Sequence, residues 1–213
     1  PHSFSSPAAT VTHLEWDAEV DFDAQEIHAT AVWTLSEAHG DQVVFDTKAL
    51  QIELVLLDGQ EAQWSFGAED DLLGSALIVY DLSPASKEVS ITYSTTEGAE
   101  AVQWFPAELT QGGRMPFLFT QSQAILARTW IPCQDRPGVR FTYNAKVKVP
   151  EGMLALMSAS NPTQKSATGS YEFTMPQPIP SYLMALGAGD LKFIALGERS
   201  GVYAEPEMVR NAA

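Results

Sequence analysis

Two glutamines in the middle of the chain, Gln121 and Gln123, are its clearest candidates for chemistry. They follow the apolar run 117–119, and on a strand two residues that lie two positions apart project to the same face. Each amide offers an acceptor oxygen and two donor hydrogens without the cost of burying a charge. The pair therefore suits a site that binds a peptide main chain or an amine. The alternative is a solvated strand face or a pair bonded within the fold, and the pattern alone favours that alternative.

Other hydrolase motifs are missing from the sequence. No HExxH spacing offers a zinc site, and no GxSxG elbow offers a serine nucleophile. The chain has four histidines: His2, His13, His28 and His39. His13, Glu15 and Asp17 share one strand face and could mimic a metal site, but the solvated face of a strand is the favoured interpretation. We therefore predict no catalytic residue and no metal ligand in this chain.

The single cysteine, Cys133, lies between a proline and a Gln-Asp pair, with no histidine nearby in sequence. A lone cysteine in a β-rich core is usually a small buried apolar residue. One cysteine also excludes an internal disulfide, which favours a reducing compartment. We expect a cytoplasmic protein, with the periplasm as the alternative if a leader has been removed.

Alternating apolar and polar residues predict that the elements carrying these side chains are strands. The segments 14–22 and 27–35 alternate on either side of a turn and indicate an antiparallel hairpin, and 141–149 alternates as clearly. Further predicted strands cover 43–47, 50–57, 76–82, 88–94, 153–159, 170–175, 181–188 and 191–196. The prolines in 176–180 indicate a turn or a sheet edge. Only the tail, 205–213, has the pattern of a helix start, so the fold class is all-β.

Composition narrows the range of partners. The net charge is -15, from 27 acidic and 12 basic residues, and such a surface repels phosphate backbones, so we expect no nucleic-acid partner. It would favour cationic ligands such as peptides with a free amine, but the charge alone favours solubility or salt tolerance as its explanation. No apolar run is long enough to span a bilayer, so no membrane partner is expected. The 213 residues are 45% apolar, which is enough for a packed core.

A family resemblance rests on the segment 117–150, FLFTQSQAILARTWIPCQDRPGVRFTYNAKVKVP. This segment resembles the N-terminal domain of zinc aminopeptidases of peptidase family M1, in particular the branch that includes leukotriene-A(4) hydrolase and its bacterial relatives. Supporting matches are PHSFS at the start, VQWFPAE (102–108), VPEGMLALMSA (149–159) and PIPSYLMALGAGDL (178–191). The resemblance is specific from about residue 102 to 191 and thin between 40 and 100.

The resemblance implies a saddle-shaped domain with a large mixed sheet and smaller flanking sheets, packed on a mostly helical catalytic domain. In the family, that second domain carries the HExxH zinc site and a Gly-x-Met-Glu-Asn segment, and neither motif occurs in this sequence. We therefore expect residues 1–204 to form the N-terminal domain and 205–213 to begin the connection to a catalytic domain. Zinc is expected in that missing domain, and this chain alone is expected to bind no catalytic zinc and to be inactive.

The resemblance also gives the glutamines a role in substrate binding. The residue matching Gln123 helps to bind the N-terminal amine or first-residue backbone of a peptide, and the one matching Gln121 lines the first side-chain pocket. Many family members have Glu at the position of Gln123, and a neutral amide gives no Coulomb attraction to an ammonium group. Ser122, between them, is expected to point to the opposite face and to carry no chemistry.

The segment 132–137, Pro-Cys-Gln-Asp-Arg-Pro, matches a family signature and is interpreted as structural. Its prolines are expected to fix a turn, Cys133 to be buried, and Asp135 to bond nearby backbone amides.

The sequence thus predicts the substrate-positioning N-terminal domain of a zinc aminopeptidase that removes N-terminal residues from peptides. Its expected partners are its own catalytic domain and a peptide with a free N-terminus. The alternative is a β-sandwich module that binds a carbohydrate or a protein, supported by five tryptophans, of which Trp16 and Trp33 look like core residues. A standalone enzyme with a dispersed site is the third hypothesis. The first hypothesis predicts an exposed surface with the glutamines at its margin, and the second predicts a solvent-facing aromatic platform.

Overall fold

A computed structural model describes residues 3–5, 9–36 and 39–213. The described residues form sixteen strands, three single 3-10 turns and one four-residue helix. The strands are β1 (Val11–Asp21), β2 (Glu26–Leu35), β3 (Gln42–Thr47), β4 (Leu50–Leu57), β5 (Gln60–Glu61), β6 (Trp64–Phe66), β7 (Ser75–Tyr80), β8 (Glu88–Thr95), β9 (Val102–Phe105), β10 (Phe117–Thr120), β11 (Phe141–Lys148), β12 (Leu154–Met157), β13 (Ser170–Ile179), β14 (Leu186–Gly189), β15 (Lys192–Gly197) and β16 (Ser200–Ala204). The 3-10 turns are 107–109, 127–129 and 181–183, and the helix α1 is Val209–Ala212. Within this described part, no helix has the length and apolar character needed to cross a membrane.

The largest sheet has seven strands in the order β13-β11-β1-β2-β8-β4-β5. β1 pairs antiparallel with β2, as the predicted hairpin requires, and parallel with β11, so the sheet is mixed. The alternation in β1 buries Leu14, Trp16, Ala18 and Val20 on one face and leaves polar residues on the other. β13 is an edge strand that contains Pro176 and Pro178, which confirms the edge interpretation because proline cannot donate to a neighbouring strand.

Three smaller sheets flank the large one. Their strand orders are β12-β14-β10-β9, β3-β7-β6 and β15-β16. The predicted fold class, all-β with a large mixed sheet and smaller sheets beside it, is therefore confirmed. The inner faces of the sheets share one core that includes Trp16, Trp33, Phe45, Leu118 and Phe141.

The structure differs from the predicted elements mainly at short strands. The segment 181–188 is not one strand: it begins with a 3-10 turn after Pro180, in which the Met184 N–H donates to the Ser181 carbonyl at 2.9 Å, and β14 starts only at Leu186. Four short strands had no clear alternation in the sequence: β5, β6, β9 and β16. The tail forms the helix α1 within the predicted range 205–213.

A buried ion network joins β3 to the loop that precedes β11. The Arg128 side chain is fully buried, and its Nε lies 3.1 Å from Asp135 Oδ2 while its Nη1 lies 3.8 Å from Asp46 Oδ1. Its Nη1 also donates to the Leu73 carbonyl at 3.0 Å. Asp46 Oδ2 accepts the Asp135 N–H at 2.8 Å. Burial raises the pKa of Asp135, although hydrogen bonds from Ser181 and the charge of Arg128 oppose the rise. One cation thus holds two buried carboxylates from distant parts of the chain.

Replacing Arg128 is expected to be among the most destabilising single changes in the protein. Arg128→Met leaves both carboxylates buried without a cation, and breaking a buried pair in this way costs about 3–5 kcal/mol. The measurement is urea-induced unfolding of the purified chain. The matched control is Arg114→Met, because Arg114 also contacts two carboxylates, Asp190 and Glu207, but is exposed. We expect this control to shift the unfolding midpoint little, and equal shifts for the two variants would contradict the prediction.

Candidate functional site

The two glutamines lie directly after β10, where the chain leaves the four-stranded sheet. β10 ends at Thr120, which pairs with Val102 at the start of β9, so the prediction that Gln121 and Gln123 lie on a strand is wrong. The Gln121 N–H still donates to the Ala101 carbonyl at 2.8 Å. The ladder has ended at Thr120, and the chain then turns at Gln123. The peptide bond between Gln123 and Ala124 is cis.

Both glutamine side chains nevertheless lie on the exposed side of the segment. Gln121 and Gln123 are exposed, and Ser122 between them is buried, so side chains continue to alternate for three residues beyond the strand. Gln121 Oε1 accepts the Gln123 N–H at 3.1 Å, which ties the first side chain to the backbone of the second. Among the described residues, none forms a hydrogen bond with the Gln123 side-chain amide. The site therefore presents an amide that can both donate to and accept from a ligand.

Ser122 points into the protein, as expected. Its hydroxyl donates to the Met184 carbonyl at 3.0 Å and accepts from Trp130 Nε1 at 2.9 Å. Trp130 is fully buried and packs edge-to-face on Trp16 at 5.5 Å. The segment that carries the two exposed amides is thus held to the core by the buried hydrogen bonds of Ser122.

An apolar surface adjoins the glutamines. Phe117 and Phe119 in β10 and Phe105 in β9 project outward, and we call these three side chains the phenylalanine surface. The Phe105 and Phe119 rings are stacked with centroids 5.8 Å apart, and Phe119 is 36% exposed. Gln121 follows Phe119 on the same side of the chain, because Thr120 between them is buried. This surface is not among the features predicted above, although the alternation in FLFTQ indicates it.

A groove of about 330 Å³ runs along the phenylalanine surface. Its other walls are Leu109, which is 68% exposed, and the segment 203–205, where β16 ends. The groove and the phenylalanine surface form an exposed apolar region, and Gln121 follows Phe119 on the same side of the chain.

The tryptophans do not form a solvent-facing platform. Trp16, Trp33 and Trp130 are buried, which confirms the first two as core residues, and Trp64 and Trp104 are half-buried. Stacking on a sugar needs an exposed aromatic face, and none of the five tryptophans is classed as exposed. The carbohydrate-binding alternative thus loses its main support.

The candidate metal face on β1 is a solvated strand face. His13 Nδ1 lies 2.6 Å from Thr142 Oγ1, and His13 Nε2 lies 3.0 Å from Glu15 Oε1. Burial opposes ionisation of Glu15, but hydrogen bonds from His13 and Asn144 outweigh it and lower the pKa of Glu15. No group of three His, Cys, Asp or Glu side chains within the described ranges could hold a metal ion. His2 lies outside the described residues.

The segment 132–137 has the structural role expected of it. Cys133 is buried and exchanges backbone hydrogen bonds with Asp46 at 2.7 and 3.2 Å. Asp135 Oδ2 accepts the Arg128 N–H at 3.3 Å, which is the expected bond to a backbone amide. Burial raises the pKa of the Cys133 thiol well above its usual value, and the nearby carboxylates Asp135 and Asp46 add to the rise. This cysteine is therefore not a nucleophile.

Comparison with known proteins identifies the family. The family described as "Peptidase M1 N-terminal domain" matches residues 10–183. The chain belongs to this family. The match includes the segment between 40 and 100, where the sequence pattern alone is thin.

Two curated relatives are similar to nearly all of this chain but are longer than it. "Leucine aminopeptidase 2-2" of Scheffersomyces stipitis is 35% identical over 205 residues, which are 94% of this chain and 32% of that protein. "Leukotriene A-4 hydrolase" of Xenopus laevis is 34% identical over 221 residues, which are 98% of this chain and 36% of that protein. The chain spans about a third of the length of these relatives.

Two solved structures share the fold of this M1 N-terminal domain. Native yeast LTA4 hydrolase superposes with a TM-score of 0.92 at 29% identity, over 99% of this chain and 34% of that one. The M1 zinc metallopeptidase of Deinococcus radiodurans superposes with a TM-score of 0.69 at 19% identity, over 95% of this chain and 48% of that one. At that identity the second likeness concerns the fold alone.

The burial of Cys133 predicts that its thiol is unreactive in the folded chain. A thiol reagent attacks the thiolate, and here burial both blocks access and raises the pKa. We expect almost no reaction with a chromogenic disulfide reagent at about pH 8, and one thiol per chain after unfolding in guanidinium chloride. Rapid titration of a full thiol in the native protein would contradict the buried placement.

Proposed function

We propose that this chain is the substrate-positioning N-terminal domain of a longer zinc aminopeptidase, which removes N-terminal residues from peptides. Family membership and the names of the curated relatives support the activity. The observation that carries the positioning role is the exposed Gln121–Gln123 pair, with a Gln123 amide that no described residue binds. Residues 1–204 are the domain in this proposal, and 205–213 begin the connection to the catalytic domain. The cytoplasm remains the predicted compartment.

Gln123 is proposed to bind the N-terminal amine or first-residue backbone of a peptide, and Gln121 to line the first side-chain pocket. The Gln123 oxygen accepts from an ammonium group, and its NH₂ group donates to a carbonyl. Because the amide is neutral, it orients the substrate without attracting it from a distance. Holding a substrate in the right geometry contributes to rate even when the holding group does no chemistry.

The zinc ion of the proposed enzyme belongs outside this chain. Both ring nitrogens of His13 already have partners, Thr142 and Glu15, and the described residues offer no set of three ligands. The side chains present therefore do not fit a catalytic zinc site, and the role proposed for this chain is positioning.

The phenylalanine surface is proposed to dock the catalytic domain. Its groove is walled by Tyr203 and Ala204, which immediately precede the proposed connection, and by Glu205, with which the connection begins. Glu205 accepts the Gln111 N–H at 3.0 Å, and Glu207 lies 2.7 Å from Arg114, so the start of the connection is fixed at the rim of the groove. The known relatives are about three times as long as the matched region, which supplies a partner of suitable size.

A glycine beside this surface supports close approach of that partner. Gly187 in β14 lies opposite Phe119, and its φ is outside the left-handed region. A Cβ atom there would find only the Leu118 carbonyl oxygen, at 3.8 Å, apart from its chain neighbours. Packing within this domain therefore does not require glycine at this position, and the open space beside Gly187 leaves room for an outside backbone to approach closely.

Gln123→Ala in the longer protein is expected to impair cleavage while zinc stays bound. Losing a hydrogen bond to a charged group costs about 1.5–3 kcal/mol, so kcat/KM for aminoacyl chromogenic substrates falls roughly ten- to a hundredfold. The matched control is Gln60→Ala, since Gln60 is an exposed glutamine in β5, in another sheet. Zinc content is measured in parallel.

Two outcomes would overturn this proposal. If Gln123→Ala and Gln60→Ala leave kcat/KM equally unchanged, the pair does not position substrate. If this chain alone binds zinc stoichiometrically and turns over, the division between two domains is wrong, and His13, Glu15 and Asp17 become the first suspects.

Phe119→Asp in the longer protein is expected to uncouple the two domains. A charge on the phenylalanine surface is costly to bury against a partner domain, so one cooperative thermal transition becomes two in calorimetry. The control is Phe66→Asp, because Phe66 is 46% exposed but lies in a different sheet. The same calorimetric trace for both variants would place the docking surface elsewhere.

A further inference from the structure

A series of buried hydrogen bonds links the large sheet to Ser122, the residue between the two glutamines. Trp16 Nε1 donates to the Tyr93 hydroxyl at 3.0 Å, and that hydroxyl donates to the Trp130 carbonyl at 2.9 Å. Trp130 Nε1 then donates to Ser122 Oγ at 2.9 Å, and Ser122 Oγ donates to the Met184 carbonyl at 3.0 Å. All five residues are buried. We call these hydrogen bonds the relay.

The relay holds a segment that the sheet no longer holds. After Thr120 the strand ladder has ended, and the segment 121–123 retains one backbone bond to β9's side, from the Gln121 N–H to the Ala101 carbonyl. The Ser122 side chain adds two hydrogen bonds: it accepts one from Trp130 and donates one to Met184. Because neighbouring side chains alternate, fixing Ser122 inward fixes Gln121 and Gln123 outward.

The chemistry of the relay needs a hydroxyl at position 122. A serine hydroxyl donates one hydrogen bond and accepts another, an alanine does neither, and a cysteine does both weakly. The Tyr93 hydroxyl keeps its proton and so can donate to the Trp130 carbonyl, because burial raises the pKa of Tyr93. Removing the hydroxyl leaves the Trp130 N–H and the Met184 carbonyl without these partners.

We infer that Ser122 is a positioning residue, which acts on substrate through Gln121 and Gln123. This inference rests on the proposed function, since it assigns Ser122 to the same site. Ser122 makes no contact with substrate: it determines where the two amides lie when a peptide amine arrives. Misplacing a positioning group by a small distance is enough to lower the rate.

The test is a double-mutant cycle in the longer zinc-loaded protein, with Ser122→Ala, Gln123→Ala and the double variant. If Ser122 acts through Gln123, Ser122→Ala alone lowers kcat/KM by about tenfold, and adds little in the Gln123→Ala background. Ser122→Cys is expected to restore part of the loss. A merely structural role would lower stability but give additive effects on kcat/KM.

The matched control is Ser86→Ala. Ser86 is also a buried serine, its Oγ accepts the Ser83 N–H at 3.1 Å, and it lies in the loop between β7 and β8. We expect it to lower the melting temperature without changing kcat/KM.

The outcomes separate this inference from the proposal beneath it. If Gln123→Ala has no effect, the proposed function fails. If Gln123→Ala impairs cleavage while Ser122→Ala is neutral or additive, the function stands and the role of Ser122 is overturned. If Ser122→Ala does not fold, Ser122→Cys carries the same cycle, because it keeps a weak donor and acceptor.

Discussion

The buried Arg128 guanidinium is the constraint on which the arrangement of this domain depends. A cation without solvent must be paired and hydrogen-bonded, because the loss of hydration otherwise costs several kcal/mol. Here Asp46 comes from β3 and Asp135 from the loop before β11, so satisfying one charge brings together two segments that are distant in sequence. The same carboxylates then bind further groups: Asp46 accepts the Phe4 N–H at 2.6 Å, and Asp135 accepts the Ser181 hydroxyl at 2.6 Å. The requirement of a single charge thus fixes the N-terminal segment, one small sheet and the turn that precedes β14.

Neutral side chains complete this junction between sheets. Gln134 is buried, and its amide accepts from the Val11 N–H at 3.1 Å and donates to the Ala9 carbonyl at 2.8 Å. It therefore binds the backbone at the start of β1, next to the charged network. Trp33 Nε1 donates to the Pro132 carbonyl at 2.9 Å, and this hydrogen bond connects β2 of the large sheet to the same loop. The loop 127–136 acts as a polar core between the sheets, and the candidate site rests against it through Trp130.

The sequence predicts the strands in which apolar and polar residues alternate over many positions. It does not predict the parts of the fold that depend on contacts between residues far apart in the chain. β1, β2 and β11 alternate over eight or more residues, so their pattern alone identifies them. β9 has four residues, and its pattern gives no such signal. Arg128 and Asp46 are far apart in the chain, and no local feature marks either as buried. For the candidate site, the alternation in FLFTQSQ predicts that both glutamines share one exposed side, but it cannot show that the ladder ends at Thr120.

The end of the strand ladder at Thr120 accounts for the exposure of the two glutamines. A glutamine inside a strand is held by the ladder on both sides, but its neighbours cover part of it. Beyond the strand, the amides of Gln121 and Gln123 gain exposure and lose that support, so the segment needs another source of rigidity. The buried side chain between them supplies it, since Ser122 bonds Trp130 and Met184 at the same time. A single side chain cannot be both fully exposed and held firmly by its neighbours. In this segment Gln121 and Gln123 are exposed, and the buried Ser122 between them holds the backbone in place. The two exposed amides therefore lie within three residues of the end of β10, where a buried side chain still ties the segment to the core.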